Sequence, residues 1–301
     1  MTQTTAGSIG IELEPAALPQ IKARGLWGDA FHRLIRNRLA LVGLGVVGFF
    51  LFLAVVAPLI VPYDPNEQDL LHTFVKPSWH HLMGTDNLGR DWFSRLIYGA
   101  RLSMTVGFFA QAVILAIGVT IGTTAGYFGG RIDNLLMRFT DLMFAFPDLL
   151  FIILLRGVLG GNIFTLFFII GLVQWVDIAR LVRGQILSLK EREFVEAARA
   201  LGATNNTIMW RHLFPNTLGP IIVVVTFGVP RAIFTEAALS FIGFGVDPRT
   251  PSWGSMIFEA YSAIFAFPGL VIFPAIAIAL VMLSFTFLGD GLRDALDPRT
   301  R

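Results

Sequence analysis

Three ionisable residues stand inside otherwise apolar stretches of this chain: Asp148, Arg231 and Glu236. A charge at the centre of a membrane helix costs roughly 2.5–3.5 kcal/mol on insertion scales, so each should face protein interior or water. They are candidates for a polar pathway, with Arg231 pairing with Glu236 or with a residue of a partner chain. The competing expectation is that Arg231 and Glu236 lie near the outer end of their helix and reach water there. Enzymatic chemistry has less to work with. There is no Cys, which excludes a disulfide, a thiolate metal site and a cysteine nucleophile. A phosphate-cradling Walker A loop needs a Gly-Lys pair, yet Lys22, Lys76 and Lys190 follow Ile, Val and Leu. The five histidines (His32, His72, His80, His81, His212) form no HExxH. His72, His80 and His81 lack a carboxylate at ligand spacing and read as solvated loop residues rather than a metal site. No cofactor, no metal and no ATPase activity are expected of this chain.

A second candidate is a polar stretch, about 185–215, whose unstructured length would be unusual in a compact protein and which therefore reads as partly helical. Ser188-Leu-Lys-Glu191 fits a capping box, and Phe194, Ala197, Ala198 and Leu201 follow at the spacing of one apolar face. Gly202 then supplies the left-handed turn that ends a helix. Arg192, Glu193, Glu196 and Arg199 surround the polar side of this amphipathic segment. One large anchor beside two Ala residues suits a groove on a soluble partner. The alternative is an interfacial helix lying on lipid.

The elements that must position these groups follow from composition. Of 301 residues, 54% are apolar and 15% charged, mean hydropathy is +0.68, and Phe occurs 28 times. A chain this apolar cannot cover itself with polar surface, so most of its exterior must face lipid. The net charge of +2 is too small to suggest a nucleic-acid binder. Runs long enough to cross ~30 Å of hydrocarbon give six expected spans, about 39–63, 102–127, 137–156, 160–179, 213–243 and 264–289. The third is the least clean, since it carries Asp148. With both ends inside, 16 of the 23 Lys and Arg residues fall on the cytoplasmic side, as the positive-inside rule requires. The fold class is thus an all-α membrane protein with six transmembrane helices, N-in and C-in. A tail at 1–38 and another at 291–301 are expected in the cytoplasm, and the amphipathic helix lies between spans 4 and 5. Gly118, Gly122 and Gly126 put a smooth stripe on the second span, fit for close helix packing. Pro147, Pro230, Pro268 and Pro274 are potential kinks.

The chain also resembles a known family. Glu196-Ala197-Ala198, Gly202 and Pro215 are similar to the EAA loop of ABC importer permeases, with His212 and Phe214 departing from its general pattern. Glu193 to Gly202, followed by Arg211-His-Leu-Phe-Pro-Asn216, looks like the version in the peptide and nickel importer subfamily. Gly84-Thr-Asp86, Leu88-Gly-Arg-Asp91, Ser94-Arg95, Gly99 and Arg101-Leu-Ser103 resemble a segment of C-type permease subunits. Glu236 to Gly245 with Pro251-Ser-Trp-Gly254 completes the pattern, so the resemblance spans about residues 28–300. It implies a second, B-type permease subunit, two cytoplasmic ABC ATPase subunits, an extracytoplasmic substrate-binding protein, and a bacterial inner (cell) membrane. It also implies that Phe194, Glu196, Ala197, Ala198, Leu201 and Gly202 belong to the coupling helix that seats in the ATPase. The cargo implied is a di- or oligopeptide, with nickel and glutathione as alternatives in the same subfamily. The readings from other classes are an ion-coupled secondary transporter relaying through Asp148, Arg231 and Glu236, for which internal repeats are expected but not detected, and a membrane scaffold.

Overall fold

A computed structural model of the chain describes residues 26–246 and 249–296. These form α1 (Leu26–Arg36), α2 (Arg38–Ile60), α3 (Trp92–Phe128), α4 (Gly130–Phe144), α5 (Asp148–Leu159), α6 (Ile163–Gln174), α7 (Val176–Leu189), α8 (Glu193–Ala200), α9 (Asn205–Thr207), α10 (Phe214–Phe241), α11 (Trp253–Ala260) and α12 (Gly269–Leu296). A π-helical turn, Ile208–Leu213, joins α9 to α10, so Asn205–Phe241 runs on as one helical length. Four helical lengths are long and apolar enough to cross a membrane: Arg38–Ile60, Trp92–Phe128, Asn205–Phe241 and Gly269–Leu296. Six result only if each of two bent pairs counts as one span.

The expected span 137–156 is one of those pairs. α4 and α5 meet at 87° rather than continuing. Pro147 is the physical reason. It lacks the N–H a continuing helix needs, and its ring pushes Phe146 out of the α region. The expected span 160–179 likewise divides at Trp175, where α6 and α7 bend by 46°. Of the other prolines, Pro230 and Pro274 lie inside α10 and α12, and Pro268 immediately precedes α12.

Parts of the expected tails are helical. Residues 26–36, placed in a tail at 1–38, form the amphipathic α1, which packs against α12 and α2. Residues 291–296, placed in a tail at 291–301, continue α12. The remaining tail residues, 1–25 and 297–301, lie outside the described residues.

Helix starts follow local chemistry. Asn37 caps α2, its Oδ1 accepting from the Leu39 and Ala40 N–H at 3.1 and 3.2 Å, and Asp91 caps α3 by accepting from Ser94 N–H at 2.8 Å. Such caps satisfy donors that the first turn leaves free. α3 is the centre of the molecule, packed against α2, α6, α7 and α10. Its glycine stripe faces α7 of the same chain. A Cβ at Gly118 would stand 2.8 Å from Ile178 Cβ, and one at Gly122 or Gly126 would stand 2.9 Å from Val182 or Ile186 Cβ. The missing side chains therefore set the distance between α3 and α7.

Candidate functional site

Three constellations are brought together, at the α8 end, at the opposite end carrying residues 61–91, and in a cleft between them. At the α8 end the expected capping box is absent. Ser188 lies in the last turn of α7, and α8 begins later, with Arg192 as its N-cap and no side-chain cap bond. The apolar periodicity of α7 carries its helix through Leu189, so the stop that the Ser-x-x-Glu pattern implied does not occur there. Gly202 ends α8 as its residue type requires, with φ +80°. Its N–H donates to Arg199 O at 2.9 Å and the Ala203 N–H donates to Ala198 O at 3.0 Å, the paired bonds of a Schellman turn.

The face expected from Phe194, Ala197, Ala198 and Leu201 divides in two. Ala198 turns inward with Val195, joining Ile186, Ile208, Met209 and Leu213. Phe194, Ala197 and Leu201 remain exposed, Leu201 at 88%. Residues i, i+3 and i+7 share a stripe, and the inward stripe through Val195 lies about 100° from it. Val195 is thus the residue that the sequence reading missed. Its signal was present, an aliphatic three residues before a small one. Glu196 is exposed, while Arg199 sits over the Tyr127 ring at 6.0 Å. Tyr127 donates to Asn205 Oδ1 at 2.7 Å and Lys190 donates to Gly126 O at 3.2 Å. α8 is therefore tied to the end of α3 by its back, leaving its front free of the chain's own core.

At the opposite end the second and third motifs become neighbours. Asp86 accepts from the backbone N–H of Leu88 and Arg90 at 2.9 and 3.0 Å and from Arg90 Nε at 2.6 Å. Arg90 also holds Glu259 of α11, whose carboxylate receives Arg95 Nη2 at 2.9 and 3.0 Å. Arg95 is wholly buried, and its Nη1 donates to Pro65 O at 3.2 Å. Trp92 Nε1 donates to Leu270 O at 3.0 Å and Trp253 Nε1 to Leu96 O at 3.1 Å. Together these bonds bind the loop, α3, α11 and α12 into one latch. Glu259 was missed, although a lone acid in an apolar helix such as Trp253–Ala260 is itself a signal.

Of the three histidines of the loop, His80 is exposed and the other two each meet a carboxylate. His81 Nδ1 hydrogen-bonds Asp91 at 2.9 Å, and His72 Nδ1 hydrogen-bonds Asp69 at 2.7 Å. That bond from His72, with a second from Leu71 N–H, holds the Asp69 carboxyl below the usual carboxylate range.

The expected pairing of Arg231 with Glu236 does not form. Five residues along a helix separate two side chains by about 140° around its axis, so they point apart. Arg231 Nη1 instead bonds Asp177 of α7 at 2.7 Å, and Nη2 bonds Asp148 of α5 at 2.9 Å. Glu236 belongs to the latch. It is fully buried, accepts from Ser240 Oγ at 2.7 Å, and lies 3.5 Å from Ser103 Oγ. The expectation that Glu236 reaches water at a helix end fails with it. Arg231 and Asp177 line a half-open cleft of about 110 Å³ between α3, α6, α7 and α10, shared with Gln111, Gln174 and Gly228.

Known proteins are similar to this chain in sequence and in fold. Residues 118–301 match the family described as binding-protein-dependent transport system inner membrane component. Residues 25–77 match the N-terminal TM domain of oligopeptide transport permease C. The chain is 43% identical over 280 residues to the oligopeptide transport system permease protein OppC of Bacillus subtilis (strain 168), covering 93% of this chain and 92% of that one. It is 40% identical over 289 residues to the glutathione transport system permease protein GsiD of Escherichia coli O6:K15:H31 (strain 536 / UPEC), covering 95% of each. A solved chain of the MetNI methionine ABC transporter, in inward-facing conformations, superposes with a TM-score of 0.56 at 16% identity. That match covers 67% of this chain and 96% of the other, and it is a likeness of fold alone.

Proposed function

The chain belongs to the binding-protein-dependent transport system inner membrane components, and from that premise we propose how it works. It is one of two permease subunits of an ABC importer, pairs with a B-type partner, and takes di- or oligopeptides from an extracytoplasmic binding protein. In this reading the bent pairs α4–α5 and α6–α7 complete six spans in a bacterial inner membrane, with both termini and α8 in the cytoplasm. ATP is bound by two separate ATPase subunits. The observation that carries the reading is α8 itself. Phe194, Ala197 and Leu201 face away from the chain while Val195 and Ala198 fix the helix from behind. An apolar stripe presented on a rigid back is the form that a helix-in-groove contact takes. Glu196 supplies a polar contact at its rim, and Gly202 holds the turn.

The experiment is reconstitution with the partner permease, the ATPases and the binding protein in liposomes. Peptide uptake should require ATP and binding protein together. Uptake by this chain alone, driven by a proton or sodium gradient, would replace the importer reading with a secondary transporter.

Asp148 and Arg231 are assigned to the pathway, whereas Glu236 is assigned to holding the latch. Arg231→Gln in the reconstituted complex is expected to lower peptide uptake several-fold. Its melting temperature should barely move, because Arg231 and both its partners are a third or more exposed and such pairs contribute about 0–1 kcal/mol. Uptake at the wild-type rate would take Arg231 out of the pathway.

A further inference from the structure

The cleft beside Arg231 contains two side chains that its ion pairs leave unused. Gln111, in the middle of α3, is 3% exposed, and neither its Oε1 nor its Nε2 has a hydrogen-bond partner among the described residues. Gln174, at the end of α6, is 7% exposed. Its Nε2 donates to Thr235 Oγ1 at 3.1 Å, while its Oε1 is likewise without a partner among the described residues. Both line the same cleft. Buried polar groups are nearly always satisfied, and each exception calls for a reason. Packing keeps Gln111 in place. A Cβ at Gly228 of α10 would come within 2.7 Å of the Gln111 amide carbon, so the absence of a side chain there admits the carboxamide.

A carboxamide offers one acceptor oxygen and two N–H donors. That set complements a peptide group, whose C=O and N–H it can bond at once. We propose that Gln111 and Gln174 are a peptide-backbone-binding site in the cleft, taking the main-chain amides of the cargo as it passes Arg231. The inference rests on the importer reading above and deepens it. Recognition through main-chain amides is blind to cargo side chains, which fits a route shared by peptides of many sequences. Beside it, Arg231 is held by Asp177 and Asp148, and two carboxylates against one guanidinium leave a charge that suits a peptide's amino terminus. The site's free valences are the kind that transport needs, since a fully paired Gln111 would have to break bonds before each passage.

The test uses the complete reconstituted complex at saturating binding protein, with radiolabelled trialanine as the probe. Gln111→Leu is expected to lower the maximal uptake rate about tenfold, and Gln111→Leu with Gln174→Leu to lower it further. The binding-protein concentration giving half-maximal uptake should stay unchanged. The melting temperature of the Gln111→Leu complex should hold or rise, since an apolar side chain of similar size replaces an unpaired amide. Gly228→Ala, which crowds the Gln111 amide, should reduce uptake in the same direction. Uptake by Gln111→Leu within twofold of wild type would overturn the site while leaving the importer reading intact. A melting temperature falling in step with the rate would overturn it in favour of a packing role. A wild-type complex that moves no trialanine would remove the peptide reading itself, and the site with it.

Discussion

Ala197→Glu combined with Leu201→Asp is expected to abolish co-purification of the ATPase subunits and to cut substrate-stimulated ATP hydrolysis about 30-fold or more. Both positions lie on the front of α8, outside the chain's own core. Central anchors of an interface each contribute about 2 kcal/mol or more when lost, and ~1.4 kcal/mol is a factor of ten. Two carboxylates placed against an apolar groove add a desolvation cost to the lost contact. The permease itself should fold and melt as the wild type does, because Leu201, 88% exposed, has little side-chain packing to lose. The contrasting variant is Val195→Asp, which buries a charge under α8 and should lower the melting temperature as well as the activity. Survival of the assembly and its ATP hydrolysis in the double variant would mean that α8 docks through another face, or not at all.

The second large effect lies at the opposite end. Asp86, Arg90, Arg95 and Glu259 carry two charges of each sign and are nearly or largely buried. Arg95→Met removes one positive charge and leaves the group with an excess carboxylate, for which a cost of about 3–5 kcal/mol is expected. Thermal unfolding in detergent, followed by tryptophan fluorescence, should show the loss directly, since Trp92 and Trp253 sit in the same latch. Adding Glu259→Gln restores charge balance and should recover at least half of the lost stability. A single variant that costs less than about 1 kcal/mol, the range of exposed pairs, would show that tryptophan packing alone holds this end.

Hydropathy reveals the four long helices because lipid exposure demands uninterrupted apolar runs, and those runs are visible without any tertiary information. The two bent pairs are less legible. Hydropathy averages over Pro147 and Trp175 and sees a continuous stretch, whereas the bend depends on backbone donors and on what packs beside the break. α1 was missed for a related reason. Its 11 residues give too few turns for a periodic stripe to stand out from a polar leader, and it is α12 that gives the stripe its partner. At α8, sequence spacing identifies two overlapping stripes, but only the core built by α7 and the π-turn decides which of them turns inward. The Arg231 partners were illegible in principle. Asp177 and Asp148 lie 54 and 83 residues away, and nothing local couples them. Helical spacing did already exclude Glu236. The latch motifs were recognisable as patterns, yet their common purpose emerges only when Glu259 joins them.

The unbroken helical length from Asn205 to Phe241 touches all three constellations. Its start supports α8, and its later part carries first Gly228 and Arg231 and then, toward its end, Glu236 and Ser240. At 1.5 Å per residue, its 37 residues measure about 55 Å. Such a beam pivoted at the latch turns angle into travel: a tilt of about 5° displaces the far end by about 5 Å, close to the pitch of one helical turn. Arg231 and Gly228 lie only about 8–18 Å from the pivot at 1.5 Å per residue, so the same tilt would move the cleft by about 1–2 Å. In the importer proposed above, movement imposed on α8 would reach Arg231 scaled down by leverage, and the stiffness of the pivot formed by Glu236 and its serines would set how much of the stroke is delivered.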